Sequence, residues 1–132
     1  MITVFIDGGA RGNPGPAGYG VYVLDENGDV LAELYRGIGH NTNNVAEYSG
    51  LLAALEWARE HGHRRVHIKS DSELLVKQIK GVYKVKHPGL QPLYARARLL
   101  MHEVGNVTIE HVRREHNKEA DRLSNLGMDQ NL

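Results

Sequence analysis

Four acidic residues lie at the ends of predicted strands and helices, and their type and position indicate a metal centre. Two of them follow apolar runs over residues 2–6 and 66–70, and two lie near the starts of predicted helices. Carboxylates that meet at one sheet edge repel each other, and hard divalent cations with oxygen ligands remove that repulsion. The pattern therefore predicts metal-dependent phosphodiester chemistry. The four acids are Asp7, Glu47, Asp71 and Asp121.

Each acid also has a structural explanation when it is taken alone. Glu47 fits position N3 of a capping box opened by Asn44, and Asp7 is a plausible turn residue before glycine. The negative charge of Asp71 could be stabilised near the N-terminus of the helix that follows it. Asp121 could be a solvent-facing residue of the last helix. Four separate explanations, however, do not account for acids that meet at one edge of the predicted sheet. If strands 2–7 and 65–70 are parallel neighbours, both aspartates leave the edge where open α/β sheets bind ligands.

Composition limits the class of protein. The length of 132 residues predicts a single domain over residues 1–132, with a core of ordinary size at 41% hydrophobic residues. The absence of cysteine excludes disulfides, thiol catalysis and thiolate metal sites. No apolar run approaches the roughly 20 residues of a membrane span. We expect a cytoplasmic protein without a membrane association.

The charges are balanced in number but not in position. Sixteen basic residues match sixteen acidic ones, so the net charge gives no sign of a nucleic-acid partner. Between Leu74 and Met101, however, there is no acid at all. This segment is either a solvated face or a surface for an anionic polymer. Its basic residues are Lys77, Lys80, Lys84, Lys86, His87, Arg96 and Arg98.

Hydrophobic periodicity predicts an α/β fold with element order βββαβααβα. Predicted strands cover residues 2–7, 19–24, 30–38, 65–70 and 107–112. Predicted helices cover residues 43–61, 72–80, 88–103 and 118–126, with Pro88 opening the third and Asn117 capping the fourth. The glycine-rich residues 8–18 are expected to be neither helix nor regular strand. The first three strands form an antiparallel meander, and strand–helix–strand connections make the later strands parallel to the first. The result is a mixed five-stranded sheet flanked by helices.

Four segments of this chain resemble type 1 ribonuclease H, nearly end to end and in order. They are DGGARGNPGPAGYG from Asp7, TNNVAE from Thr42, SDS from Ser70 and REHNKEAD from Arg114. The resemblance implies the ribonuclease H fold and cleavage of the RNA strand of an RNA–DNA hybrid to 5′-phosphate and 3′-hydroxyl ends. It also implies two Mg²⁺ ions, for which Mn²⁺ could substitute. Nothing in the sequence demands a protein partner, and we expect a monomer. Asp7 would bridge the two ions, Glu47 and Asp71 would hold the first, and Asp121 the second.

The resemblance also assigns substrate contacts. The glycine loop and the segment before the first long helix would bind the hybrid, because glycines allow close backbone approach and a 2′-hydroxyl can both donate and accept hydrogen bonds. The alternative is that these residues only form a tight turn and a helix cap. Residues 80–93 are too few for the basic protruding helix of longer relatives. The absence of acids around Lys84 and Lys86 predicts instead that these lysines add phosphate contacts. The expected contacts are Gly8, Gly9, Asn13, Thr42, Asn43, Asn44, Lys84 and Lys86.

Two positions depart from the family pattern. Many members have a catalytic histidine in a flexible loop before the last aspartate, and here that loop is shortened. His116 could replace that histidine as a catalytic residue that shuttles a proton or assists metal release, whereas His111 lies in a predicted strand and fits a structural role. Glu73 stands where glutamine is common, which puts one base or sugar contact in doubt.

Three other functions are compatible with the same residues. One is a non-catalytic binder of hybrid or double-stranded RNA, which would not need the complete acid set. Another is a nuclease of this fold that acts on other nucleic acids. The third is a structural Ca²⁺ site, which predicts a large stability gain with metal and no cleavage.

Overall fold

The computed structural model describes residues 1–130 and has five strands and four α-helices in the predicted order. The strands are β1 (Ile2–Ala10), β2 (Gly15–Leu24), β3 (Val30–Asn41), β4 (Arg65–Ser70) and β5 (Asn106–His111). The helices are α1 (Asn43–Glu60), α2 (Glu73–Ile79), α3 (Gln91–Val104) and α4 (Lys118–Asp129), and a short 3₁₀ turn covers Arg114–His116. None of the helices within residues 1–130 combines the length and hydropathy needed to cross a bilayer.

The strands form one mixed sheet in the order β3-β2-β1-β4-β5. β1 pairs antiparallel with β2 and parallel with β4, and β4 pairs parallel with β5. The predicted fold class is therefore confirmed, with the first strand at the centre. In this register Ile6 is opposite Ser70, so Asp7 and Asp71 each follow a paired residue and lie beside each other at the carboxyl end of β4.

The expectation that residues 8–18 contain no regular strand is wrong. β1 continues through Ala10 and β2 begins at Gly15, with Gly8 paired to Tyr19 and Gly9 to Gly18. Asp7 is consequently inside a strand and is not a turn residue. Only the tip between the two strands is irregular. The glycines in these strands are explained by close packing of helices and not by turns.

Helices α1 and α4 press on opposite faces of the sheet at these glycines. A Cβ on Gly8 would lie 2.4 Å from the backbone carbonyl of Ala46 in α1. Gly20, which is paired with Asp7, would bring a Cβ to 2.5 Å from the Ala120 oxygen in α4. Because side chains alternate along a strand, these contacts assign α1 to one face and α4 to the other. Both helices can therefore approach the same edge of β1.

The ends of three helices differ from the prediction. Thr42, not Asn44, caps α1 by accepting a hydrogen bond from the Val45 amide at 3.2 Å, so Glu47 is not part of a capping box. α3 begins at Gln91 and not at Pro88, because residues 87–90 form a turn in which the Leu90 amide donates to the His87 carbonyl. α4 continues past Leu126 to Asp129.

The core lies between the sheet and α1, α2 and α3. Ile6 and Ile68 are fully buried on neighbouring strands, and Leu51 and Leu55 cover them from α1. Each such side chain contributes roughly 1.5–3 kcal/mol of burial free energy. This layer holds the carboxyl ends of β1 and β4 in a fixed relation, and those ends bear the acids.

We expect Gly18→Ala to destabilise the fold by about 1–3 kcal/mol, because its Cβ would lie 2.4 Å from the Met128 amide in α4. The matched control is Gly9→Ala on the paired residue, where the nearest atom is the flexible Met128 Cε at 3.6 Å. Chemical denaturation of both variants measures the difference. Equal stability of the two variants would contradict the close packing of α4 on β2.

Candidate active site

Three of the four predicted acids form one cluster. Asp7 comes from β1, Glu47 from α1, and Asp71 from the turn that follows β4. Each offers a carboxylate oxygen, and these oxygens all lie within 4.8 Å of one another. Asp7 is only 8% exposed, whereas Glu47 and Asp71 are partly buried. Such spacing suits several oxygens around one hard cation.

Asp121 lies at the rim of the same cavity. It is exposed in the first turn of α4 and is not a member of the three-acid cluster. The cavity has a volume of about 400 Å³, and all four acids line it. A second cation would therefore find Asp121 together with Asp7, which accepts a hydrogen bond from Ser124 of the same helix.

Burial and the charges of neighbouring acids raise the pKa values of Asp7 and Glu47. Burial, followed by the charge of Asp71, raises the pKa of Asp7 to about 7, although a hydrogen bond from Ser124 opposes the shift. Burial, followed by the charges of Asp7 and Asp71, raises the pKa of Glu47 well above its ordinary value. The Gly8 backbone amide and the Arg114 charge act in the opposite direction on Glu47. A positive charge inside the cluster therefore favours the ionised forms of Asp7 and Glu47.

One atom of the cluster supports a cation directly. Glu47 Oε2 is buried and has no hydrogen-bond partner within residues 1–130. A buried carboxylate oxygen left unpaired costs free energy, so it calls for a ligand. The donor set consists of carboxylate oxygens, which match Mg²⁺ or Mn²⁺. The residues present therefore fit a divalent cation.

Sequence reasoning missed the side chains that orient the acids. Ser124 Oγ donates a 2.8 Å hydrogen bond to Asp7 Oδ2, and it lies one helical turn after Asp121. Asn117 has the predicted N-cap position, but its side chain makes no cap. Its amide donates instead to the Ile6 carbonyl at 2.9 Å and to Asp71 Oδ2 at 3.3 Å. The signal available for Ser124 was its i+3 spacing from Asp121.

Arg114 is the single lysine or arginine side chain that lines the acid cavity within the described part of the chain. It begins the segment REHNKEAD, but only its neighbour His116 was singled out from the sequence. A guanidinium beside carboxylates favours an entering phosphate, which it can bind with two donors. Arg114 is thus a functional candidate that spacing alone did not identify.

Most of the predicted substrate residues surround the acid cavity. Gly8, Gly9, Asn43 and Asn44 line it. Asn13 and Thr42 line a neighbouring cavity of about 230 Å³, which Asn44 also borders. The glycine strand and α1 are joined by polar contacts, in which Asn43 Oδ1 accepts from the Ala10 amide at 2.7 Å and Asn13 Oδ1 accepts from the Asn43 amide at 3.0 Å. These residues form one polar surface beside the acids.

Three further predicted residues line neither the acid cavity nor the neighbouring cavity of Asn13 and Thr42. His116 lies on the 3₁₀ turn and lines a different groove together with Lys69 and Arg113. Lys84 and Lys86 line a third cavity with Tyr83 and Tyr94. None of these three side chains lines the cavity of the acids, so none is placed to contact the reacting atoms. The two lysines remain candidates for more distant contacts with a long substrate.

The chain is similar to known proteins over almost all of its length. The family model described as "Reverse transcriptase-like" matches residues 5–127. The crystal structure of LC11-RNase H1 in complex with an RNA/DNA hybrid has a TM-score of 0.93 and 45% identity over 98% of both chains. This chain belongs to the type 1 ribonuclease H family. The TM-score also confirms the predicted ribonuclease H-like fold.

Other ribonuclease H relatives are longer than this chain. "Bifunctional protein Rv2228c" of Mycobacterium tuberculosis is 46% identical over 97% of this chain and 35% of the relative's length. "Ribonuclease HI" of Halobacterium salinarum is 39% identical over 97% of this chain and 64% of its own length. The chain therefore spans about a third of the mycobacterial relative and less than two thirds of the archaeal one.

We expect Asp7→Asn to stabilise the protein at pH 8 in EDTA by on the order of 1–3 kcal/mol. Because the folded-state pKa of Asp7 is raised, its contribution to stability is complete below about pH 4 and is lost as the pH rises through about 7. The asparagine side chain of the variant does not ionise, so the variant does not lose this stability as the pH rises. Thermal unfolding from pH 4 to 8 measures it, with Asp29→Asn as an exposed control.

Saturating Mg²⁺ should reverse the order, because only the wild-type protein retains the full ligand set and gains stability by binding. A variant that is less stable than wild type at pH 8 without metal would contradict the proposed charge repulsion.

Proposed function

We propose that this chain is a metal-dependent endoribonuclease that hydrolyses the RNA strand of RNA–DNA hybrids to 5′-phosphate and 3′-hydroxyl ends. The observation that supports it most is the buried cluster of Asp7, Glu47 and Asp71, in which Glu47 Oε2 is left without a partner. Such a cluster is costly for a protein that only binds nucleic acid. It is justified if the residues hold cations for catalysis.

In this proposal Asp7, Glu47 and Asp71 would hold a divalent cation, and Asp121 with Asp7 would hold a second. Two such cations, when bound, activate the attacking water and stabilise the leaving 3′ oxygen. The chain's own contribution is positioning. Ser124 fixes one oxygen of Asp7, and Asn117 fixes one oxygen of Asp71. Rigid ligands of this kind lower the reorganisation needed in the transition state.

The substrate side of the cavity is formed by backbone and amide groups. Gly8 and Gly9 leave the strand edge open to a sugar–phosphate backbone, and Asn43 and Asn44 stand beside it. Amide side chains can both donate and accept, as recognition of a 2′-hydroxyl requires. Asn13 and Thr42 would contact the next part of the hybrid. Arg114 would bind a phosphate oxygen next to the scissile bond.

The alternatives explain less of this geometry. A non-catalytic binder gains nothing from carboxylates that repel its anionic ligand. A structural Ca²⁺ site usually draws on more oxygen ligands, including backbone carbonyls, and does not require a wide cavity with an arginine at its rim. A nuclease with another nucleic-acid substrate is distinguished by competition experiments. The relative crystallised with an RNA/DNA hybrid favours the hybrid.

We further propose Mg²⁺ as the cation, with Mn²⁺ as a substitute, and a single domain that acts as a monomer in the cytoplasm. The all-oxygen donor set supports the choice of cation, and the absence of cysteine suits a reducing compartment.

Asp71→Asn should abolish cleavage of an end-labelled hybrid in Mg²⁺, because it removes one charge from the cluster. The loss should be at least about 100-fold, the size expected for a group that stabilises the transition state. Single-stranded RNA and duplex RNA serve as substrate controls, EDTA as metal control and Asp29→Asn as variant control. Tight hybrid binding by the wild-type protein without any cleavage would support a binding module instead.

His116→Ala should keep most of the activity on a hybrid, because the residue lines a groove other than the acid cavity. The rate should fall less than about threefold, a change of under 1 kcal/mol in the activation free energy. Single-turnover cleavage of a blunt hybrid is the measurement. A loss comparable to that of Asp7→Asn would establish the catalytic role that the sequence had suggested.

Lys84→Gln combined with Lys86→Gln should weaken hybrid binding and flatten its salt dependence. Each lost phosphate contact reduces the slope of log K against log salt by about 0.9. The control is Arg64→Gln combined with Arg65→Gln, two exposed residues around the start of β4, at the end of the strand away from Asp71. An unchanged slope for the lysine pair would remove these residues from the interface.

A further inference from the structure

A second groove lies beside the acid cavity, on the sheet. We call this groove, which has a volume of about 610 Å³, the sheet-face groove. Three of its residues are direct neighbours across the sheet, because Phe5 is opposite Lys69 and Lys69 is opposite Glu110. Side chains at paired positions share a face, so these three form its floor. The charged, aromatic and imidazole side chains that line it are Phe5, Lys69, Glu110, His111, Arg113 and His116.

The groove has more basic than acidic groups. Its acid, Glu110, already accepts a hydrogen bond from His67 at 2.7 Å and lies 3.8 Å from Lys69. Arg113 is 81% exposed and has only a 3.8 Å contact with Glu115. Two exposed surface contacts of this length hold their cations weakly. Lys69 and Arg113 are therefore available to an anionic ligand.

The floor also contains an aromatic surface. The Lys69 ammonium lies 5.4 Å from the centre of the Phe5 ring, and the ring of Tyr22 lies 6.3 Å from that of Phe5 at an angle of 58°. All three side chains are partly exposed. Basic groups beside aromatic rings are the combination with which proteins bind unpaired nucleotides, whose bases stack and whose phosphates pair with cations.

The sheet-face groove lies next to the acid cavity. The 3₁₀ turn separates them, with Arg114 lining the acid cavity and Arg113 and His116 lining the groove. On the β5 side, His111 Nε2 lies 3.3 Å from the Asp71 carbonyl oxygen. A strand that places a phosphate over the acids can therefore pass the turn and reach the groove.

We infer that the sheet-face groove binds a single-stranded extension of the RNA strand of the hybrid. The inference rests on the proposed function, because the strand over the acids is the RNA strand only if that strand is cleaved. Lys69 and Arg113 bind its phosphates, and the Phe5 ring faces its bases. The enzyme would thus prefer hybrids that have an unpaired RNA end over blunt hybrids.

The test compares a blunt hybrid with hybrids that bear an unpaired oligouridine extension at the RNA 5′ end, the RNA 3′ end or a DNA end. Affinities are measured over a salt series in proteins that also carry Asp71→Asn. Single-turnover rates are measured in proteins that retain Asp71. The groove variant is Lys69→Gln combined with Arg113→Gln. The control is again Arg64→Gln combined with Arg65→Gln, which has the same change in charge.

One RNA extension should bind several-fold more tightly than the blunt hybrid, with a salt slope steeper by about 0.7 for each added phosphate contact. The groove variant should lose that gain and keep the affinity and rate for the blunt hybrid, whereas the control variant should keep the gain. Arg113→Gln alone, which alters only an exposed side chain, should lose part of it. This single variant guards against loss through misfolding, since Lys69 packs on Phe5.

Equal affinity for blunt and extended hybrids would overturn the inference, as would a gain that survives in the groove variant or a gain given only by a DNA extension. These results are separable from failure of the proposed function. If the blunt hybrid is not cleaved by the wild-type protein, the proposed function itself is wrong, whatever the extensions do.

Discussion

Repulsion among the carboxylates of Asp7, Glu47 and Asp71 is the interaction on which the rest of this structure depends. Their oxygens lie within 4.8 Å of each other at a poorly solvated sheet edge, and burial raises the pKa of Asp7 to about 7. A fold gains nothing from this arrangement by itself, since an unpaired buried charge is destabilising. The sheet, the helices and the polar side chains around the cluster hold the acids where a cation can offset that free-energy cost.

Close helix packing makes the cluster possible. Glycines at the carboxyl half of β1 and along β2 allow α1 and α4 to touch the backbone of the strands from opposite faces. α1 then brings Glu47 to the edge, and α4 brings Ser124 and Asp121. A side chain at Gly8 or Gly20 would push one of these helices away. The glycine-rich segment thus serves assembly of the site as well as access by a ligand.

Much of this architecture could be predicted from the sequence because its signals are local. Alternation over residues 2–7 and 65–70 gave two strands, and the strand–helix–strand order made them parallel, which brought Asp7 and Asp71 together. The strand character of Gly8–Ala10 could not be predicted, because it arises from pairing with β2 and not from propensity. Glycine reads as a turn signal unless its contacts are known.

The site was less predictable where a side chain acts at a distance in the sequence. Asn117 has an ordinary cap position, but its amide reaches Ile6 and Asp71, which are remote in the chain. The orientation of Arg114 and His116 into different cavities depends on a 3₁₀ turn of three residues, which has no periodicity to read. The family resemblance identified the segment that contains both residues. Only the structure showed that their side chains line different cavities.

The most direct measurement is calorimetric titration of the wild-type protein with Mg²⁺ at pH 6 and pH 8, in buffers of different ionisation enthalpy. Metal ligands must lose their protons, so binding to a cluster with raised pKa values releases protons. This account predicts saturable binding with more proton release at pH 6 than at pH 8, and weak or absent binding for Asp7→Asn. Binding without proton release at either pH, or no binding at all, would contradict it.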